Sequence, residues 1–147
     1  QRGKPFWSIW TVGEYTFAPY KVVWKEMSGS NFVAAYVGSE RMPDGTEKTV
    51  VPDHKVYFIP VQTEPEAAYL TAFLNSSSVS GAIGAYASAL SLGTSVVDYF
   101  KIPKFDANDE RMAELSEMGK RFSSGVVPTA DNEQRLDELV ARIVCGT

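Results

Sequence analysis

A chain of 147 residues with 44% hydrophobic side chains is sized for one ordinary domain, and it holds no apolar run of the roughly 18 residues that a membrane span needs. A single cysteine, Cys145, excludes an internal disulfide, and a lone His54 with no Cys or His cluster excludes a conventional zinc site. The net charge of −4 arises entirely in residues 106–147, which hold five basic and nine acidic side chains; residues 1–105 carry nine of each, so no region is basic enough for strong nonspecific attraction to nucleic acid.

In chain order, the first sixty residues read as β structure, short apolar and aromatic runs separated by turn residues. The expected strands are Phe6-Trp-Ser-Ile-Trp10, Tyr20-Lys-Val-Val-Trp24, Phe32-Val-Ala-Ala-Tyr-Val37 and Lys55-Val-Tyr-Phe-Ile59. Three tryptophans in strands, Trp7, Trp10 and Trp24, are expected mostly as core or interface anchors. Between the last two strands, Gly38 to Thr49 contains Pro43-Asp44-Gly45, residues suited to a tight turn at the tip of an exposed hairpin or loop.

The period then changes. Thr63-Glu-Pro-Glu66 is spaced as a capping box, and Ala67, Leu70, Phe73 and Leu74 recur at helical spacing after it. Asn75-Ser-Ser-Ser78 reads as a helix stop followed by a new N-cap, although its hydroxyls and amide also suit a ligand. A second helical set, Val79, Ile83, Tyr86 and Leu90, follows, with Gly81 and Gly84 allowing a close backbone approach. Ser95 to Ile102 alternates as a returning strand until Pro103. Asp106 or Asn108 is placed to cap a helix bearing Met112, Leu115, Met118 and Phe122. A last helix after the Gly125 to Thr129 linker carries Leu136, Leu139, Val140 and Ile143, with Asp131 and Gln134 spaced for its capping box.

The expected fold is α+β: an N-terminal antiparallel or mixed β-sheet region, then packed helices, a returning strand and C-terminal helices. Residues 1–105 form the β-rich core with two helices, and 106–147 a helical extension of the same domain. The chain starts without Met and stops at Gly146-Thr147 directly after a helical pattern, as expected of a part of a longer polypeptide. The absence of a signal-peptide pattern after Gln1-Arg-Gly-Lys4 points to a cytoplasmic protein.

The inventory for catalysis is thin. His54 sits in Pro52-Asp-His-Lys55 with no Ser or Cys nucleophile beside it, so a role in a turn or at the start of a strand is the better account, Asp53 bonding nearby backbone and His54 packing partly on an aromatic. There is no G-x-x-x-x-G-K-[ST] phosphate loop and no G-x-G-x-x-G; Gly81-Ala-Ile-Gly84 lacks both the preceding strand and the third glycine.

Four segments taken together carry a resemblance: Tyr15-Thr-Phe-Ala-Pro-Tyr-Lys-Val-Val-Trp24, Val51-Pro-Asp-His-Lys-Val-Tyr-Phe-Ile-Pro60, Ala68-Tyr-Leu-Thr-Ala-Phe-Leu-Asn-Ser-Ser77 and Tyr99-Phe-Lys-Ile-Pro-Lys-Phe-Asp106. In this order they resemble the C-terminal target-recognition region of Eco57I-type and TaqI-type adenine-N6 DNA methyltransferases and of fused restriction-modification enzymes. At its C-terminus the chain departs from that pattern, with Val144-Cys-Gly146 in place of a Leu-Tyr-Gly-like ending. The resemblance implies a bacterial restriction-modification or methylation system in which a separate catalytic domain binds S-adenosylmethionine and holds the flipped adenine on an Asn-Pro-Pro-Tyr-type motif. That motif does not occur in this chain, whose nearest string is Ala18-Pro-Tyr20. The chain itself is then expected to be non-catalytic, with no cofactor of its own.

On that reading the partners are double-stranded DNA and the catalytic methyltransferase domain of the same polypeptide, with no membrane. Lys21, Lys25, Lys55, Lys101 and Lys104 are the candidates for phosphate contacts, and Ser28, Ser30, Asn31 and Arg41, in expected loops, for reading base edges. The competing reading is a protein-interaction or structural module that docks on the catalytic domain without touching DNA, and the lack of a basic patch favours it.

Overall fold

The computed structural model describes residues 12–25, 32–87 and 100–146. It is an α+β arrangement in which a small antiparallel sheet precedes four helices among the described residues. The strands are β1 (Tyr20–Lys25), β2 (Ala34–Val37), β3 (Ser39–Arg41), β4 (Glu47–Thr49) and β5 (Val56–Val61), and the helices α1 (Glu64–Leu74), α2 (Ser77–Ala87), α3 (Glu110–Ser123) and α4 (Ala130–Cys145). The expected strand at Phe6 to Trp10 lies outside the described residues.

β1 is the centre of a three-stranded sheet in the order β2-β1-β5. Side chains alternate across a strand, so Val22 and Trp24, both buried, face the helices together with their cross-strand neighbours Ala34, Tyr57 and Ile59. The Trp24 ring lies 6.1 Å from Phe32 and 6.4 Å from Tyr57, the anchoring role expected of a strand tryptophan. Its indole Nε1 and the Thr71 hydroxyl are buried polar atoms that find no hydrogen-bond partner among the described residues.

Asn75 ends α1 and also closes the free edge of β2. Its side-chain carbonyl accepts from Ala34 N–H and its amide donates to Ala34 O, both at 2.8 Å. An edge residue exposes one such donor and acceptor, and the amide satisfies both as another strand would. The break after α1 is therefore part of the sheet. The N-terminus of α2 is capped from elsewhere: Ser77 N–H donates to Asp137 Oδ1 of α4 at 2.8 Å, while the Ser76 hydroxyl donates back to Phe73 O.

Thr63 caps α1, its hydroxyl accepting from Glu66 N–H at 3.4 Å, but among the described residues no return bond from the Glu66 carboxylate completes the expected box. The helix buries more than the one face that its spacing indicates. Ala67, Ala68, Tyr69, Ala72, Phe73 and Leu74 are all buried because the sheet lies on one side and α3 on the other. The crossing with α3 is unusually close: a Cβ at Gly119 would stand 2.2 Å from Ala68 O. Ser116 Oγ donates to Pro65 O at 2.8 Å along the same contact. The close approach expected of Gly81 is not made by any described residue, since a Cβ there would meet none of them within 4 Å.

Three further expectations are corrected. Within Ser95 to Ile102, residues 95–99 lie outside the described residues, and Phe100 to Ile102 do not form a strand; Ile102 N–H bonds Phe100 O in a tight bend, and both side chains pack on the core. The cap of α3 is Asp109, which accepts from Arg111 N–H at 2.9 Å, whereas Asp106 shapes the preceding turn by accepting from Asn108 N–H. The cap of α4 is Thr129 with Asn132 in a reciprocal box, two residues before the expected pair. The apolar stripes hold, with Met112, Leu115, Met118, Leu136, Leu139, Val140 and Ile143 buried in one cluster with the sheet and α1.

Candidate nucleic-acid interface

β3 and β4 form a separate two-stranded hairpin, in the place where Gly38 to Thr49 promised one. Pro43-Asp44-Gly45 makes its tip: Met42 N–H donates to Thr46 O at 2.8 Å, Gly45 N–H to Met42 O at 2.9 Å, and Gly45 takes a φ of 83°. That left-handed conformation suits glycine, which has no Cβ to clash. Asp44 accepts from both the backbone N–H and the hydroxyl of Thr46, which holds its carboxyl below the usual carboxylate range.

The register pairs Ser39 with Thr49, Glu40 with Lys48 and Arg41 with Glu47. Alternation then puts Ser39, Arg41, Glu47 and Thr49 on one face of the ribbon and Glu40 with Lys48 on the other. Arg41 is the last residue of a strand and not a loop residue, and it is exposed. Glu47 and Lys48 join it as polar heads on the hairpin; counting symmetrically outward from Pro43-Asp44-Gly45 is the signal in the sequence that finds them.

Among the phosphate candidates, Lys25 and Lys55 lie at the same end of the sheet. The pairing of Lys25 with Val56 sets Lys55 one residue away, and both lysines are exposed. Lys101 and Lys104 are exposed on the segment that leads into α3, and Lys101 borders an apolar groove of about 450 Å³ between α2 and α4.

Lys21 is a correction. It is only 1% exposed, its Nζ donates to Ala18 O at 2.9 Å and lies 5.9 Å from the centroid of the Phe58 ring. The sheet face it occupies is covered by the 3-10 turn Glu14–Phe17 and Ala18, and burial lowers its pKa. An amine so placed does not reach a phosphate. Ser28, Ser30 and Asn31 lie outside the described residues.

His54 and Asp53 are both exposed, with side-chain exposures of 76% and 74%, and Asp53 Oδ1 accepts from the backbone N–H and ring Nδ1 of His54. Asp53 therefore bonds nearby backbone as expected. Where partial packing on an aromatic was expected, the His54 side chain stands largely open to solvent. Among the described residues no group of three His, Cys, Asp or Glu is arranged to hold a metal ion, and no helix is long and apolar enough to cross a membrane. Tyr36 donates to Glu64 Oε1 at 3.1 Å in a shallow depression beside Lys120 and Arg121; burial and then Glu64 push its hydroxyl up to about 12. A phenol held protonated in this way is poorly suited to act as a base.

No family model matches this chain, and no curated protein or solved structure matches it either.

Proposed function

We propose that this chain is a DNA-binding target-recognition domain, non-catalytic by itself, that positions and reads the DNA site for a bacterial adenine-N6 DNA methyltransferase or a fused restriction-modification enzyme. The observation that supports this best is the exposed β3–β4 hairpin carrying Arg41, a side chain whose planar donor fork matches the O6 and N7 acceptors of guanine. Lys25 and Lys55 at one end of the sheet, with Lys101 and Lys104, supply a small set of phosphate contacts that orient the domain. S-adenosylmethionine and the methyl-transfer chemistry belong to a catalytic domain outside this sequence. The charge distribution fits a module whose attraction to DNA is modest and whose contribution is discrimination.

A salt titration tests this. Duplex affinity should fall as salt rises, with a logarithmic slope of about −0.9 for each phosphate neutralised. Lys25→Ala should weaken all sequences alike and reduce the slope by about 1, whereas Arg41→Ala should relax preference at one position. Equal loss on cognate and random duplexes for Arg41→Ala would remove it from the reading set.

The second reading, a module that docks on a catalytic domain and never meets DNA, is favoured by exposed apolar side chains on the sheet side of the molecule, Tyr15, Phe17 and Val33 among them. Salt-independent association with a protein partner, together with no duplex binding at low salt, would establish that reading in place of the first.

A further inference from the structure

We propose that Glu47 is a second specificity-determining residue, and that Arg41 and Glu47 together read a single G·C base pair in the major groove; this deepens the target-recognition reading and rests on it. The two residues are directly opposed in the hairpin register, so their side chains leave the same face of the ribbon side by side. Both are exposed, and neither head group is held in an ion pair with another described residue. A donor fork and an acceptor-only carboxylate thus stand next to each other at the outer end of a two-stranded ribbon.

The major groove admits a ribbon of this kind, and the edge of one base pair is complementary to this pair of heads. Guanine offers O6 and N7 as acceptors to the arginine, and its partner cytosine offers the N4 amino group as a donor to a carboxylate. Thymine in the cytosine position would turn its O4 acceptor toward Glu47, so the same carboxylate that favours cytosine also repels the wrong base. Ser39 and Thr49, two pairs further from the tip, put two hydroxyls on the same face. A carboxylate at Glu47 detracts from phosphate binding and is useful only against base-edge donors.

The test uses the chain with a pool of duplexes randomised over a central window, the bound fraction being sequenced at low salt for the wild type, Arg41→Ala, Glu47→Ala and the double variant. The wild type should enrich a motif containing one fixed G·C pair. Each single substitution should flatten that same position, by about 5- to 150-fold in preference, and the double variant should do little more than the worse of the two. An unchanged motif for Glu47→Ala, or two substitutions that relax different positions, overturns the pairing while leaving target recognition standing. A wild-type chain that binds but enriches nothing, or does not bind, overturns both. Unchanged melting temperatures of the variants show that the hairpin substitutions act on reading and not on the fold.

Discussion

The α3–α4 region and the β3–β4 hairpin are both rich in charge, but they direct it differently. In the helical pair much of the charge is tied to other charge of the protein: Arg135 grips both carboxylate oxygens of Glu114 across the two helices at 2.8 Å, Arg111 pairs with the capping Asp109, and Lys120 with Glu117. On the hairpin Arg41 and Glu47 stand side by side on exposed strands with no ion pair to another described residue. Charge that joins two helices has its geometry set by the protein itself, whereas charge at the tip of a ribbon is available to something outside. The acidic balance of residues 106–147 is therefore a poor guide to what the hairpin does.

The contrast is easiest to break at the crossing on which the helical region depends. Gly119→Val should destabilise by about 3 kcal/mol or more, read as a lower denaturant midpoint. Leaving glycine within a helix favours folding by only about 1 kcal/mol, too little to offset a Cβ 2.2 Å from a backbone oxygen. An unchanged midpoint would mean that α1 and α3 do not cross this closely. Asn75→Ala should cost about 1–3 kcal/mol, since the donor and acceptor of Ala34 both lose their partner; faster amide exchange at Ala34 than at Val22 would locate the damage at the β2 edge.

Smaller effects sharpen the contrast. Arg135→Ala and Glu114→Ala should each cost roughly 0.2–1 kcal/mol, because the pair is more than a third exposed and screened by solvent, and a double-mutant cycle should recover a coupling of that size. The Asp109 carboxyl is lowered to about 2, first by its hydrogen bond from the Arg111 side chain and further by the backbone N–H of Arg111. Because its folded value lies below the unfolded value of about 3.9, its stabilisation is present above pH 4 and is lost as pH falls from about 4 through about 2. Asp109→Asn should flatten the acid limb of the stability curve in that window. Smallest of all, Arg41→Ala and Glu47→Ala should move stability by no more than about 0.5 kcal/mol; a larger loss would mean that the hairpin charges are tied into the fold as firmly as those of α3 and α4.

Much of this architecture was legible in the sequence, and the exceptions share a cause. The strands at Tyr20, Phe32 and Lys55, the hairpin around Pro43-Asp44-Gly45, the Thr63 cap and the stripes of α3 and α4 follow from period and turn chemistry. The caps at Asp109 and Thr129 were displaced by one to three residues because several Asp, Asn and Thr side chains in a row can each accept from a helix N-terminus. Phe100 and Ile102 show the apolar alternation of a strand, yet their burial comes from packing a bend against the core. For the candidate site, Lys25, Lys55, Lys101, Lys104 and Arg41 reach the surface, and Lys21 does not, because alternation cannot tell that the second face of β1 is also covered.

By itself the sequence determined which residues share a face, where the β period yields to the helical one, and where glycine and proline turn the chain, all of which are local properties of a backbone with two soft dihedrals per residue. Only the tertiary structure decided that Lys21 lies beneath Ala18 and Phe58, that Gly119 admits the backbone of α1, and that Asp137 caps α2 from sixty residues away. Each of these depends on which surface arrives from a distant part of the chain, and periodicity carries no information about that partner.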